Sequence, residues 1–146
     1  DVYKRQEIKL AEEPPKIFST DIDISARCVR VPVADGHLLG INLKLTQQIT
    51  PKEALNCLAS WRPKIPPLPS SPEPVLHLMT QRDRPSPRFD IQAGAGMAVI
   101  IGRVEKCPIM GLKLFALGHN TIRGAAGAAI INGELLIQTI LQEQSQ

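Results

Sequence analysis

Gly118-His119-Asn120-Thr121-Ile122-Arg123-Gly124-Ala125-Ala126-Gly127-Ala128 decides how this chain is read, because it opens a helical period and breaks a local rule at once. Ile122, Ala125, Ala126, Ala129, Ile130, Leu136, Ile137, Ile140 and Leu141 recur at helical spacing, which predicts a closing helix over Thr121–Gln142. Gly124, Gly127 and Gly133 fall inside that period, and each costs about 1 kcal/mol relative to Ala in a helix interior. Small residues there let another backbone or a flat ligand come close to the first turns. A tightly packed core helix accounts for the same residues without any ligand.

Upstream of this helix, Met97–Glu105 and Leu112–Leu117 read as strands, with Pro108 and Gly111 marking the turn between them. Thr50-Pro51-Lys52-Glu53 is a capping box with proline at the first helical position, predicting a helix over Pro51–Ser60. Ile24–Val33 and Leu38–Leu45 are β-branched or alternating runs separated by Asp35-Gly36, a hairpin signal. Glu7–Lys16 starts helically and is expected to stop at Pro14-Pro15. Eight of the 13 prolines lie between Pro63 and Pro87, which leaves room only for a short strand around Val75–Met79. Trp61, Leu68 and Phe89 are available to anchor this stretch as an ordered excursion over the surface or across a subunit interface. The sum is an α+β domain: a mostly antiparallel or mixed sheet with helices packed on it.

A chain of 146 residues has room for one domain with a sizeable core. With 43% apolar and 3% aromatic residues, Val, Ile, Leu and Ala must build that core. The net charge of +3 comes from scattered basic residues not interleaved with aromatics, which argues against a nucleic-acid surface. No run of 18 apolar residues marks a membrane span, and no basic-then-apolar start resembles a signal peptide. Cys28, Cys57 and Cys107 are odd in number and unrelated in spacing, so they read as free thiols in a reducing compartment, by default the cytoplasm. No paired short spacing suits a metal.

The chemistry centres on Arg30-Val31-Pro32-Val33-Ala34-Asp35-Gly36-His37. Histidine shuttles protons near neutral pH, and arginine grips a carboxylate through two parallel hydrogen bonds. A two-residue turn at Asp35-Gly36 would pair Ala34 with His37 and put Arg30, Pro32, Ala34 and His37 on one face. Arg30 and His37 would then lie roughly 13 Å apart at about 3.3 Å per residue. That register also sets Val31 and Val33 against the face of Leu39, Ile41 and Leu43. Either both faces are buried or a bulge near Pro32–Gly36 re-aims the chain.

Four motifs in order give the chain a resemblance to a known family. They are Ile24-Ser25-Ala26-Arg27-Cys28 with the Arg30–His37 run, Arg84-Pro85-Ser86-Pro87-Arg88-Phe89-Asp90, Gly96-Met97-Ala98-Val99-Ile100-Ile101-Gly102-Arg103, and Gly118–Ala128. Together, and over nearly the whole chain from Glu7, it resembles the C-terminal catalytic and dimerisation domain of aspartate-semialdehyde dehydrogenases of the archaeal and fungal type. The resemblance implies a fold like the C-terminal domain of glyceraldehyde-3-phosphate dehydrogenase. It also implies an NADP-dependent enzyme that interconverts aspartyl phosphate and aspartate semialdehyde, working as a homodimer or homotetramer away from nucleic acid and membrane.

By the same resemblance, Arg30 matches the arginine that binds the substrate carboxylate, and His37 the general acid/base acting toward the thiohemiacetal. Lys9 matches a phosphate-binding lysine, and Glu7 the second of two glutamates of which the first helps bind the substrate amine. Gln6 stands where that first glutamate is expected, and Pro14-Pro15 departs from the pattern and displaces Lys16. Asn120 matches an amide that approaches the nicotinamide; a helix cap is the other reading of that asparagine. Arg82, Arg84 and Arg88 read as a solvated loop, with neutralising phosphate or crossing the subunit interface as the other readings. The family's Asn-x-x-Cys-Ser/Thr nucleophile and its glycine-rich dinucleotide motif do not occur, so the three cysteines are expected to be structural or incidental. Asp1–Gln6 back-translates to GATGTGTATAAGAGACAG, a transposon end used in library preparation. Those six residues are therefore expected to be non-native, with the domain proper at 7–146 and a dinucleotide-binding domain missing. Two rivals share the fold: a malonyl-CoA reductase of the same lineage, and a non-catalytic oligomerisation module.

Overall fold

The computed structural model describes residues 2–144, with side chains from Lys4 onward; Asp1, the first of the six residues expected to be non-native, lies outside the described residues. The chain forms two compact units, Asp1–Pro32 and Val33–Gln146.

In the first unit α1 runs over Val2–Phe18, straight through Pro14 and Pro15, so the expected stop is overturned. A proline ring fixes φ near a helical value; what it removes is a donor. The carbonyls four residues back belong to Leu10 and Ala11, on a largely exposed stretch where water can serve them. The helix ends at Ser19, whose φ is 51°. The Thr20 N–H donates to the Pro15 carbonyl at 3.1 Å and the Ser19 N–H to that of Lys16 at 3.4 Å, a Schellman closure.

The expected strand over Ile24–Val33 does not form, and residues 21–36 contain no strand or helix. A β-branched run becomes a strand only where a neighbouring ladder takes its N–H and C=O groups. This one has no ladder among the described residues, and Val29, Val31 and Val33 stay exposed. The hairpin at Asp35-Gly36 fails with it: His37 pairs with Gly118, not with Ala34.

The second unit is built on a four-stranded sheet of β1 (His37–Leu43), β2 (Leu76–Met79), β3 (Val99–Cys107) and β4 (Gly111–Gly118) in the order β1-β4-β3-β2. The β1/β4 and β3/β4 pairs are antiparallel and β2/β3 is parallel, so the sheet is mixed. Ile100 and Leu117 face each other in register, both fully buried, and pack with Ile91, Met79 and Ala93 into the core. Between Gly102 and Glu105 the ladder shifts; Arg103 takes a φ of 52° there and lays its guanidinium 4.8 Å from the Phe115 ring centroid.

Helix α2 (Pro51–Ser60) starts as expected: the Thr50 hydroxyl accepts from the Glu53 N–H at 3.2 Å, and Glu53 Oε2 accepts from the Thr50 N–H at 2.7 Å. The proline-rich stretch is ordered around β2, but of the three expected anchors Leu68 alone is buried; Trp61 and Phe89 are exposed. A short helix, α3 (Pro87–Asp90), leads to a turn at Ala93–Gly96 in which Gly94, Ala95 and Gly96 all have positive φ.

The closing helix begins with a π-turn over Ile122–Ala126, where the Gly124 N–H reaches the His119 carbonyl at 2.8 Å, and continues as α4 (Gly127–Glu143). The alternative account of this run as a tightly packed core helix does not hold, since α4 has no buried residue. Gly127, Ile131, Glu134, Leu135 and Gln138 form a half-buried inner stripe at helical spacing, while Ile130, Leu136, Ile137 and Ile140 face outward and exposed. Over Ile122–Glu143 the helix reaches a mean hydropathy of 1.3, enough by length and composition alone to cross a bilayer. Glu134 ties it instead to a surface loop, accepting from the Ser70 N–H at 3.0 Å and its hydroxyl at 2.6 Å.

Candidate functional site

His37 is the first residue of β1 and lies opposite Gly118, which presents no side chain to it. The two strand ends open into a cleft of about 330 Å³ whose lining includes His37, Val99, His119, Asn120, Arg123 and Gly124. A Cβ on Gly118 would meet nothing within 4 Å, and one on Gly124 only the His119 carbonyl at 3.4 Å. One wall of the cleft is therefore bare backbone.

Asn120 closes this cleft from the loop after β4. Its Oδ1 accepts the Gly36 N–H at 2.9 Å, tying the residue before His37 to the entry of the last helix. Gly36 itself has a φ of 104°, and an added Cβ would lie 2.8 Å from Ile91 Cδ1. The core thus presses directly beneath the residue that sets the direction of His37. Asn120 makes none of the helix-capping bonds. Those belong to His119, only 4% exposed, whose Nδ1 lies 3.3 Å from the N–H groups of Thr121 and Ile122. Sequence reasoning missed His119 because its neighbour is the more familiar capping residue.

Glu7, Lys9 and Arg30 lie in the other unit. Glu7 is half-buried; its Oε1 accepts the Cys28 N–H at 2.9 Å and its Oε2 lies 3.6 Å from Arg27 Nη1. Lys9 is exposed and pairs with Glu13 at 3.6 Å, one helical turn away. Arg30 is exposed in the irregular segment that replaces the expected strand. Cys28, expected in a strand, lies in that same irregular segment.

Arg82 and Arg88 are exposed as expected, but Arg84 is not a solvated residue. Its Nη1 meets Oδ1 of the buried Asp90, whose Oδ2 accepts the Ser86 N–H at 2.6 Å. Its guanidinium also stacks 4.8 Å from the Phe89 ring centroid. All three cysteines are free. The N–H groups of Met110, then Ile109 and Gly111, together with the charge of Lys113, hold the Cys107 thiol below its usual range. No group of three or more potential metal ligands occurs among the described residues.

In chemical terms the cleft offers an imidazole able to give or take a proton, a carboxamide whose oxygen is committed and whose NH₂ remains to donate, and a flat side-chain-free wall.

A profile of the semialdehyde dehydrogenase dimerisation domain matches residues 1–123. The aspartate-semialdehyde dehydrogenase of Archaeoglobus fulgidus is 42% identical over 144 residues, covering 92% of this chain and 41% of that protein. The Saccharomyces cerevisiae enzyme is 36% identical over 121 residues, covering 80% of this chain and 33% of its own length. Among solved structures, the Candida albicans enzyme with NADP superposes with a TM-score of 0.70 at 34% identity, over 80% of this chain and 34% of that one. Aspartate semialdehyde dehydrogenase II of Vibrio cholerae gives 0.78 at 27% identity, over 93% and 37%. The chain thus spans about two fifths or less of the length of each of these relatives. With the profile running from the first residue through the start of the closing helix, the chain belongs to the semialdehyde dehydrogenase dimerisation-domain family.

Proposed function

We propose that this chain is the C-terminal part of an NADP-dependent aspartate-semialdehyde dehydrogenase, residues 7–146 forming its catalytic and dimerisation domain, with Asp1–Gln6 non-native. The observation that carries the reading is the meeting of His37 and Asn120 in one cleft through the Gly36 hydrogen bond. His37 gives and takes the proton at the substrate's reacting oxygen, a role suited to an imidazole near neutral pH. Arg30 binds the substrate carboxylate and Lys9 its phosphate, and Glu7, matching the family's second glutamate, is counted with them among the substrate-binding residues. The nucleophilic cysteine belongs to the part of the enzyme outside this chain.

NADP fits the cleft on two grounds. The wall formed by Gly118 and Gly124 suits a flat ring, and the Asn120 amide keeps its NH₂ for a carboxamide oxygen because Oδ1 is occupied by Gly36. When bound, NADPH supplies the hydride. The enzyme is cytoplasmic and assembles as a homodimer or homotetramer, with substrates aspartyl phosphate and aspartate semialdehyde.

The test is to recover the gene upstream of Glu7 and assay the intact product with NADPH against aspartyl phosphate and malonyl-CoA, with and without His37→Ala. Reduction of aspartyl phosphate that collapses in the variant supports the reading. Preference for malonyl-CoA keeps the mechanism and changes the substrate. An upstream gene with no nucleophilic cysteine turns the reading to an oligomerisation module.

A further inference from the structure

We propose that His119 is a positioning residue for His37: by capping the last helix through Nδ1, it frees Asn120 to hold Gly36 and so aims the imidazole of His37 into the cleft. The inference rests on the reading of His37 as the proton-transfer group, but its structural half stands on its own.

Two backbone N–H groups, those of Thr121 and Ile122, point at His119 Nδ1 from 3.3 Å. A backbone N–H can only donate, so Nδ1 carries the lone pair and Nε2 carries the proton. The Thr121 hydroxyl lies 3.3 Å from the same nitrogen, where it competes with the two N–H groups for its single lone pair. The ring is held in this orientation from its other side. Gly96, with a φ of 79°, brings bare backbone against it: an added Cβ would stand 3.2 Å from His119 Cδ2 and 2.9 Å from Ile122 Cδ1.

The consequence falls on the next residue. Asparagine is among the side chains that most readily cap a helix. With His119 already serving the N–H groups of Thr121 and Ile122, the Asn120 Oδ1 is left for the Gly36 N–H at 2.9 Å. Remove the imidazole and two N–H donors at the helix entry lose their acceptor, which costs more than the bond itself is worth. The nearest replacement is Asn120, and its swing to the helix releases Gly36. His37, the next residue, then loses its fixed direction. A misplacement of about 1 Å at a reacting group costs roughly a hundredfold in rate.

The experiment compares His119→Ala and His119→Asn with wild type in the intact parent enzyme. It reads the ring ¹⁵N spectrum of histidine-labelled wild type, hydrogen exchange at the Gly36 amide, and kcat and KM across pH. The expected result is an Nε2–H tautomer for His119, and faster exchange at Gly36 in the alanine variant. It includes a kcat lowered roughly tenfold to a hundredfold at nearly constant KM, with the His37 limb of the pH profile displaced. His119→Asn, which restores an acceptor, recovers a substantial part of both. An Nδ1–H tautomer in wild type overturns the proposal, even if the alanine variant fails to fold. So do an unchanged Gly36 amide, or equal losses in both variants with an unmoved pH profile. Full activity in His37→Ala refutes the functional reading alone, since the tautomer and the Gly36 exchange do not depend on it.

Discussion

Gly36 donates its N–H to Asn120 Oδ1 across 2.9 Å, joining residues 84 positions apart. This bond closes the cleft at the point where the irregular segment gives way to β1. Replacing Asn120 with Ala leaves a half-buried donor without its acceptor and is expected to cost about 1–3 kcal/mol. Asn120→Asp keeps an oxygen in place and should cost less. Urea unfolding of the two variants, read beside exchange at the Gly36 amide, checks the order.

Gly36 is constrained independently by its own backbone. A Cβ at a φ of 104° is strained whatever the space, and here it also meets Ile91 Cδ1 at 2.8 Å. Gly36→Ala is expected to destabilise by more than about 1 kcal/mol. A thermal melt with an unchanged midpoint would refute this.

Asp90 and Arg84 form the most buried ion pair among the described residues, with side-chain exposures of 4% and 28%. Asp90→Ala removes the closer of the two carboxylates at Arg84, leaving Asp83 Oδ2 at 3.9 Å, and the acceptor of the Ser86 N–H, and the expected loss is about 1–3 kcal/mol. Asp90→Asn still accepts from Ser86 and should fall between wild type and alanine in denaturant midpoint.

The Thr50 N–H, followed by its hydroxyl, holds the Glu53 carboxyl below its usual range. A depressed carboxylate stabilises the folded chain above its unfolded pKa, and that stability is lost as pH falls through the lower folded value. Denaturant midpoints of wild type and Thr50→Ala should therefore differ at neutral pH and draw together in acid. A gap that widened on acidification would contradict the sign.

Cys107 should alkylate with a pH midpoint below the value of about 8.5 for an unstructured thiol, because the Met110 N–H and its neighbours favour the thiolate. Iodoacetamide labelling followed by peptide mass spectrometry across pH reads the midpoint directly.

Much of the fold was legible in local signals. The Thr50–Glu53 box places α2 to the residue, and Pro108 with Gly111 bounds the β3–β4 turn, because capping and turn chemistry act within a few positions. The failures were non-local. Ile24–Val33 has strand composition but no ladder partner, a fact that depends on chain folded far away. Pro14-Pro15 carried too much weight as a stop, since an exposed helix can spare two donors. Asn120 and His37 were found by resemblance, and their contact through Gly36 follows from the register His37↔Gly118, which the Asp35-Gly36 hairpin signal pointed away from. His119 escaped because histidine is an uncommon helix cap.

The strand order β1-β4-β3-β2 also bears on how the chain is made. Among the described residues β1 pairs only with β4, the last strand, so its ladder cannot begin until Leu112, the partner of Leu43, has left the ribosome. Until then Leu38, Leu39 and Ile41 remain an unzipped apolar ribbon on the nascent chain. Slow translation between Leu43 and Gly111 lengthens that interval, and trigger-type chaperones that cover such ribbons should affect the yield of this domain more than its final stability.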